Sequence, residues 1–150
     1  MSDNLYEDIG GEEVLNRVHR RFYETLFEDA WLGKFFTGKN PDVLVMKQTK
    51  FMMSCMGGPD EYKWETPAIA HMHMNISNEL YDLRQSILKQ CILEEGIAEE
   101  LAERWLEVDD SFRRALVKNS VEDCVTRVQG QIPVDVQKPA NYPWPKDNDK

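Results

Sequence analysis

The sequence lacks most of the usual signatures of chemistry. Cysteine is scarce: Cys55, Cys91 and Cys124 are three in all, an odd number with no close pairing. That rules out a dense disulfide framework and suits a reducing compartment. No CxxC, HExxH, P-loop or GxGxxG pattern occurs, so conventional zinc and nucleotide sites have no foothold. No apolar run approaches the roughly 20 residues that a spanning helix needs. The start, MSDNLYEDIGG, has neither the basic opening nor the apolar stretch of a signal peptide. Together these absences predict a cytoplasmic protein. Positive charge is also in deficit: 18 Lys and Arg face 27 Asp and Glu, a net charge of −9. Such a balance argues against nucleic acid or an anionic membrane as a partner. Strand-like alternation and internal repeats are missing too.

What is present reads as helix. With 150 residues, 41% hydrophobic and 30% charged, the chain has the size and balance of one soluble domain with a substantial core. Between Gly11 and Phe27, the residues Val14, Leu15, Val18, Phe22, Leu26 and Phe27 make a stripe of helical period. A second helix opens around Pro41, with Asn40 or Asp42 as cap, and stops at the Gly57–Pro59 breaker. Thr66 and Pro67 look like the cap and first residue of a short helix containing His71. Two amphipathic segments follow, about Asn78 to Glu94 and Ala98 to Lys118, broken at Gly96. The expected fold is all-α with about five main helices. From Ile132 the composition changes, and IPVDVQKPANYPWPKDNDK carries four of the seven prolines. It predicts a domain over 1–131 and a disordered or extended tail over 132–150, the alternative being a docked arm anchored by Tyr142 and Trp144.

Three polar residues sit where a plain helical core has little use for them. Gln48 interrupts the stripe Leu44, Phe51, Cys55 on the second helix, and a buried amide without partners costs a few kcal/mol. Tyr23 lies on or beside the apolar face of the first long helix. His71 stands among Ile69, Met72 and Met74, one turn after Pro67. Each alone reads more simply as a satisfied packing residue. Together they suggest a pocket with ligation on one side and hydrogen bonding on the other. His71 and His73 are two apart, so on a helix they cannot jointly grip one ion.

The segments LYEDIGG, RFYETLFED, KFF, MKQTKF, MGGPDEY and AHMHMNI, in this order from residue 5 onward, resemble the truncated haemoglobins, most closely group I with its two-over-two helical sandwich. The resemblance runs from about residue 5 to 118 and implies a shortened globin fold around a b-type haem, iron protoporphyrin IX. It implies His71 as the iron ligand, with His73 second-shell or solvent-facing. Tyr23, Gln48 and Leu44 become the distal, ligand-contacting residues, and Tyr23 and Gln48 the catalytic ones. Phe35, Phe36, Lys47, Phe51, Met52, Tyr62, Tyr81, Arg84 and Leu88 are implied for the haem pocket, and the glycine pairs 10–11 and 57–58 for its turns. Two positions depart from the family pattern: Asn75 replaces a usual glycine, and Arg84 replaces an apolar or tryptophan side chain beside the haem. The implied function is reversible binding of O₂, NO and CO, with conversion of NO to nitrate by the ferrous–oxy form and recovery by an unidentified reductase. A non-enzymatic oxygen or NO sensor or carrier, signalling through a partner, is the alternative.

Overall fold

The computed structural model describes residues 4–127 and 129–144. Its elements are α1 (Leu5–Ile9), α2 (Gly11–Glu28), a 3₁₀ segment (Leu32–Phe36), α3 (Pro41–Cys55), α4 (Pro67–His71), α5 (Asn78–Glu94), α6 (Glu99–Asp110), α7 (Arg113–Leu116) and a 3₁₀ turn (Val121–Asp123). Among the described residues, β-pairing is limited to two isolated parallel bridges, Met74 with Val134 and Ile76 with Val117. The chain is therefore all-α, as its periodicity predicts.

Local chemistry sets the helix ends. Asn4 caps α1 by accepting from the Glu7 N–H at 3.0 Å, and Asn40 caps α3 through the Asp42 N–H at 2.9 Å with Pro41 behind it. Gly10 turns the chain between α1 and α2 at φ 110°, where a Cβ would meet Val14 Cγ2 at 2.5 Å. A Cβ at Gly58 would strike the Tyr6 ring at 2.7 Å, so the turn after α3 closes onto α1 only with glycine there.

Packing organises these elements into two helix pairs. The most extensive contact is α2 on α3; α5 packs on α6, and the pairs meet chiefly through α2 and α5. Leu15, Val18, Phe22, Leu26, Met52, Met53, Leu88, Ile92 and Trp105 form the buried centre. His19 is buried too, with Nδ1 at 2.9 Å from the Thr49 hydroxyl across the α2–α3 contact. The inner stripe of α3 proves to have two directions. Val45, Thr49, Met52 and Met53 go into the core, while Leu44, Gln48 and Phe51 face a cavity.

Two expectations change on the C-terminal side. The periodic run Ala98–Lys118 is interrupted: α6 ends at Asp110 and the chain turns at Ser111, whose hydroxyl binds the Val108 carbonyl at 2.6 Å. Asn75, which stands where the resemblance has glycine, does not have a positive φ; among the described residues the non-glycine residue that does is Asn141. The segment after Ile132 is extended but not loose. Val134 N–H binds the His73 carbonyl and Asn75 N–H binds the Val134 carbonyl, both at 2.8 Å. Lys138 pairs with Glu79 at 2.6 Å, Tyr142 hydrogen-bonds Asp29, and its ring meets Trp31 at 5.4 Å. Val134, Val136, Tyr142 and Trp144 pack against the core. The prolines remove donors and stiffen the arm without preventing this docking. The end of the expected tail, 145–150, lies outside the described residues.

Candidate functional site

Between the two helix pairs and α4 lies a cavity of about 920 Å³, at the upper end of ordinary ligand pockets. Most of its lining is aromatic and aliphatic, and eleven polar or charged side chains join it from separate elements.

His71 is the last residue of α4. Pro67 starts that helix, and its carbonyl accepts from His71 Nδ1 at 2.8 Å. The bond fixes the ring and assigns the proton to Nδ1, leaving the lone pair on Nε2, which has no hydrogen-bond partner among the described residues. Burial holds the imidazole below the ordinary histidine range; the Pro67 bond opposes this, and the charges of Arg84 and Lys118 reinforce it. At neutral pH the side chain is a neutral imidazole able to bind a metal. The Lys118 ammonium secures the segment by donating to the carbonyls of His71 (3.2 Å), Met74 (3.1 Å) and Leu116 (2.9 Å). His73 falls past the end of α4, so the helical-face argument ceases to apply, and this half-buried residue also belongs to the cavity lining.

Tyr23 and Gln48 enter from α2 and α3. The Tyr23 ring is held edge-on to Phe22 (5.3 Å) and Phe36 (5.9 Å). Its hydroxyl makes no hydrogen bond among the described residues, and burial pushes its pKa up to about 12, so it stays protonated as a donor. The Gln48 amide likewise has no hydrogen-bond partner among them. Leu44, Phe35, Phe36, Phe51 and Met52 complete this side, and Tyr62 and Tyr81 also line the cavity. The Lys47 ammonium sits 5.7 Å from the Trp64 ring. Arg84 reaches the lining with one guanidinium nitrogen, Nη1, 2.7 Å from Asp109 Oδ2. Leu88 does not line the cavity. It lies one turn beyond Arg84 and is spent on the core, 1% exposed.

Several lining residues were missed from sequence. Phe112 packs against Phe51 at 5.0 Å; the break at Ser111, hidden within a continuous helical period, swings it inward. Trp64 stacks edge-on to Tyr62 at 5.4 Å in a connection without periodicity. Val125, Arg127 and Gln131 come from beyond the last main helix. An aromatic and a cation between glycines and prolines were the available hints.

The bacterial-like globin family matches residues 4–118 of this chain. The chain is 31% identical over 97 residues to the group 1 truncated hemoglobin GlbN of Mycolicibacterium paratuberculosis, covering 65% of this chain and 71% of that one. It is 26% identical over 113 residues to the group 1 truncated hemoglobin of Tetrahymena pyriformis, covering 75% and 93%. The crystal structure of the Tetrahymena pyriformis protein in its Fe(III) form superposes with a TM-score of 0.73, over 77% of this chain and 98% of that one. The chain belongs to the group I truncated haemoglobins. This globin is therefore a haem-based binder of diatomic ligands.

The residues present fit such a cofactor. No group of three or more His, Cys, Asp or Glu side chains that would hold a bare ion exists among the described residues. A single imidazole suits an iron that brings its own equatorial ligands. Lys39, Lys47, Lys63 and Arg127 line the same cavity, cations that suit the haem carboxylates. No described helix is long and apolar enough to cross a membrane.

Proposed function

We propose that this globin holds haem b through His71 Nε2 and converts NO to nitrate at the expense of O₂. Bound haem supplies the iron chemistry, reversible binding of a diatomic gas and the overall reaction NO + O₂ + e⁻ → NO₃⁻, with the electron coming from a reductase. The chain's own residues do the rest. The Pro67 carbonyl keeps the proton on Nδ1 and the ligating lone pair on Nε2. Tyr23 and Gln48 present O–H and N–H donors to the partial negative charge that develops on bound oxygen. Leu44, Phe36, Phe51 and Met52 exclude water, so that those donors act in a low dielectric. An acidic surface and three free cysteines support work in a reducing cytoplasm, with the reductase and the gases O₂, NO and CO as partners.

The observation that carries this reading is the pairing of one oriented imidazole with one unpartnered hydroxyl and one unpartnered amide in a single apolar cavity. The reading is tested by mixing the oxygenated ferrous protein with NO in a stopped-flow instrument and measuring nitrate. Stoichiometric nitrate, formed within the mixing time scale and lost in the His71→Ala variant, is expected. Normal O₂ and CO binding without nitrate would leave a carrier or sensor.

A further inference from the structure

Arg84 is a strange residue to find in this cavity. Its neighbours there are largely apolar, its side chain is only 21% exposed, and Asp109, its counter-charge, is 3% exposed. A desolvated cation persists only when geometry holds it, and here one carboxylate and two aromatic rings hold it. Asp109 Oδ2 takes Arg84 Nη1 at 2.7 Å and Gln85 Nε2 at 3.2 Å, while the Asp109 carbonyl takes the Tyr81 hydroxyl at 2.6 Å. The guanidinium carbon lies 5.3 Å from both the Phe22 and the Tyr81 ring centroids, a double cation–π contact that fixes its plane. A guanidinium has five N–H donors. The Asp109 bond occupies Nη1, and neither Nε nor Nη2 has a hydrogen-bond partner among the described residues. An anchored cation with spare donors thus borders the same cavity as His71 and Tyr23.

Other charges in the lining do not cancel it. Its acidic members are Asp109, already counted, and Glu65, which is paired with Arg127. The remaining cations, Lys39, Lys47, Lys63 and Arg127, come from loops and the α3 surface. Electrostatically, Arg84 is felt at both functional groups: its charge acts to lower the pKa of Tyr23 and of His71.

We propose that Arg84 is the residue that sets how tightly this cavity holds a small inorganic monoanion on the ferric haem, through the free N–H donors of the guanidinium. The inference rests on the haem site proposed above; what it adds is that the guanidinium, not the iron alone, governs the affinity for an anion such as nitrite. Asp109 is then a positioning residue: it aims the guanidinium without touching the ligand.

The test titrates ferric holoprotein with sodium azide and sodium nitrite, reading the Soret band, with CO binding to the ferrous form as the neutral comparison. Charge-assisted hydrogen bonds set the scale. Arg84→Leu is expected to weaken both anions about ten- to hundredfold while CO affinity moves by less than about threefold. Arg84→Lys should recover a large part of the loss, because the charge returns. Asp109→Asn removes the counter-charge and should tighten azide severalfold; it keeps the test decisive if Arg84→Leu does not fold. Azide affinity unchanged in Arg84→Leu, equal losses for azide and CO, or no tightening in Asp109→Asn would overturn the proposal. Faster haem loss with unchanged azide affinity would assign the guanidinium to a haem carboxylate instead. A parent protein that takes up no haem would fail at the first spectrum and overturn the haem reading along with this one.

Discussion

Replacing Tyr23 with phenylalanine removes one oxygen atom and leaves the ring contacts with Phe22 and Phe36 in place. The hydroxyl has no hydrogen-bond partner among the described residues, so nothing in the fold is left unsatisfied by its loss and the variant should fold as the parent does. What changes is the donor available to bound oxygen. A hydrogen bond to a charged or strongly polarised partner contributes about 1.5–3 kcal/mol, and at 1.36 kcal/mol per decade that is about ten- to hundredfold in dissociation rate. Oxygen should leave Tyr23→Phe faster by that factor. CO, which develops far less negative charge on its outer atom, should leave at nearly the parent rate. Because burial raises the hydroxyl pKa to about 12, the effect should be flat between pH 6 and about pH 10. Stopped-flow displacement of O₂ and CO measures both rates. Equal small changes for the two gases would make Tyr23 a packing residue and leave the donor role to Gln48.

Three further outcomes follow from the same geometry. His71→Ala should lose stable haem binding in a Soret titration and His73→Ala should keep it, although both rings line the cavity; the reverse pattern would move the ligand to His73. Deleting residues 132–150 removes two backbone hydrogen bonds at His73 and Asn75 and the apolar contacts of Tyr142 and Trp144. About 2 kcal/mol, or about 4–8 °C in the thermal midpoint, should go with them, and haem should transfer faster to an acceptor apoprotein; no change in either would contradict docking of the arm. His19 makes the acid side steep. Burial, assisted by Arg84, lowers its pKa from 6.5 to about 3, so the folded state resists a proton that the unfolded chain accepts. Stability is then complete above pH 6.5 and falls as the pH drops toward 3, by up to on the order of 5 kcal/mol. Thermal midpoints of the parent and His19→Leu from pH 7 to 4 should show a slope that the variant largely lacks.

Periodicity carried the sequence reading wherever one helix face met one core. The Leu15 and Val18 part of the α2 stripe is such a case, and the Asn40 cap and the Pro67 helix start were visible as short-range chemistry. The stripe Leu44, Gln48, Phe51 was legible as spacing, but spacing does not say whether a face meets protein or empty volume. That is why a polar residue in its middle looked anomalous until the cavity accounted for it. Leu88 shows the converse: one turn separates a cavity residue from a core residue on the same face of α5. The break at Ser111 could not be seen because Phe112 and Leu116 keep a helical period across it. The docking of the arm was not legible either. Backbone hydrogen bonds between residues 60 apart leave no trace in composition, and prolines suggest looseness even when the segment is held by its neighbours.

The docked arm has a consequence for how the protein is assembled. Tyr142 meets Asp29 and Trp31 across more than a hundred residues of chain, and Val134 meets His73 across about 60. Contacts of that separation carry a large loop-closure cost and form after local helices have packed. During synthesis, residues 4–118 leave the ribosome first, with every main helix and both His71 and Tyr23 among them. Val125, Arg127 and Gln131, which form part of the cavity wall, lie between those helices and the docked arm. That side of the cavity is therefore completed only after the helices carrying His71 and Tyr23 have packed.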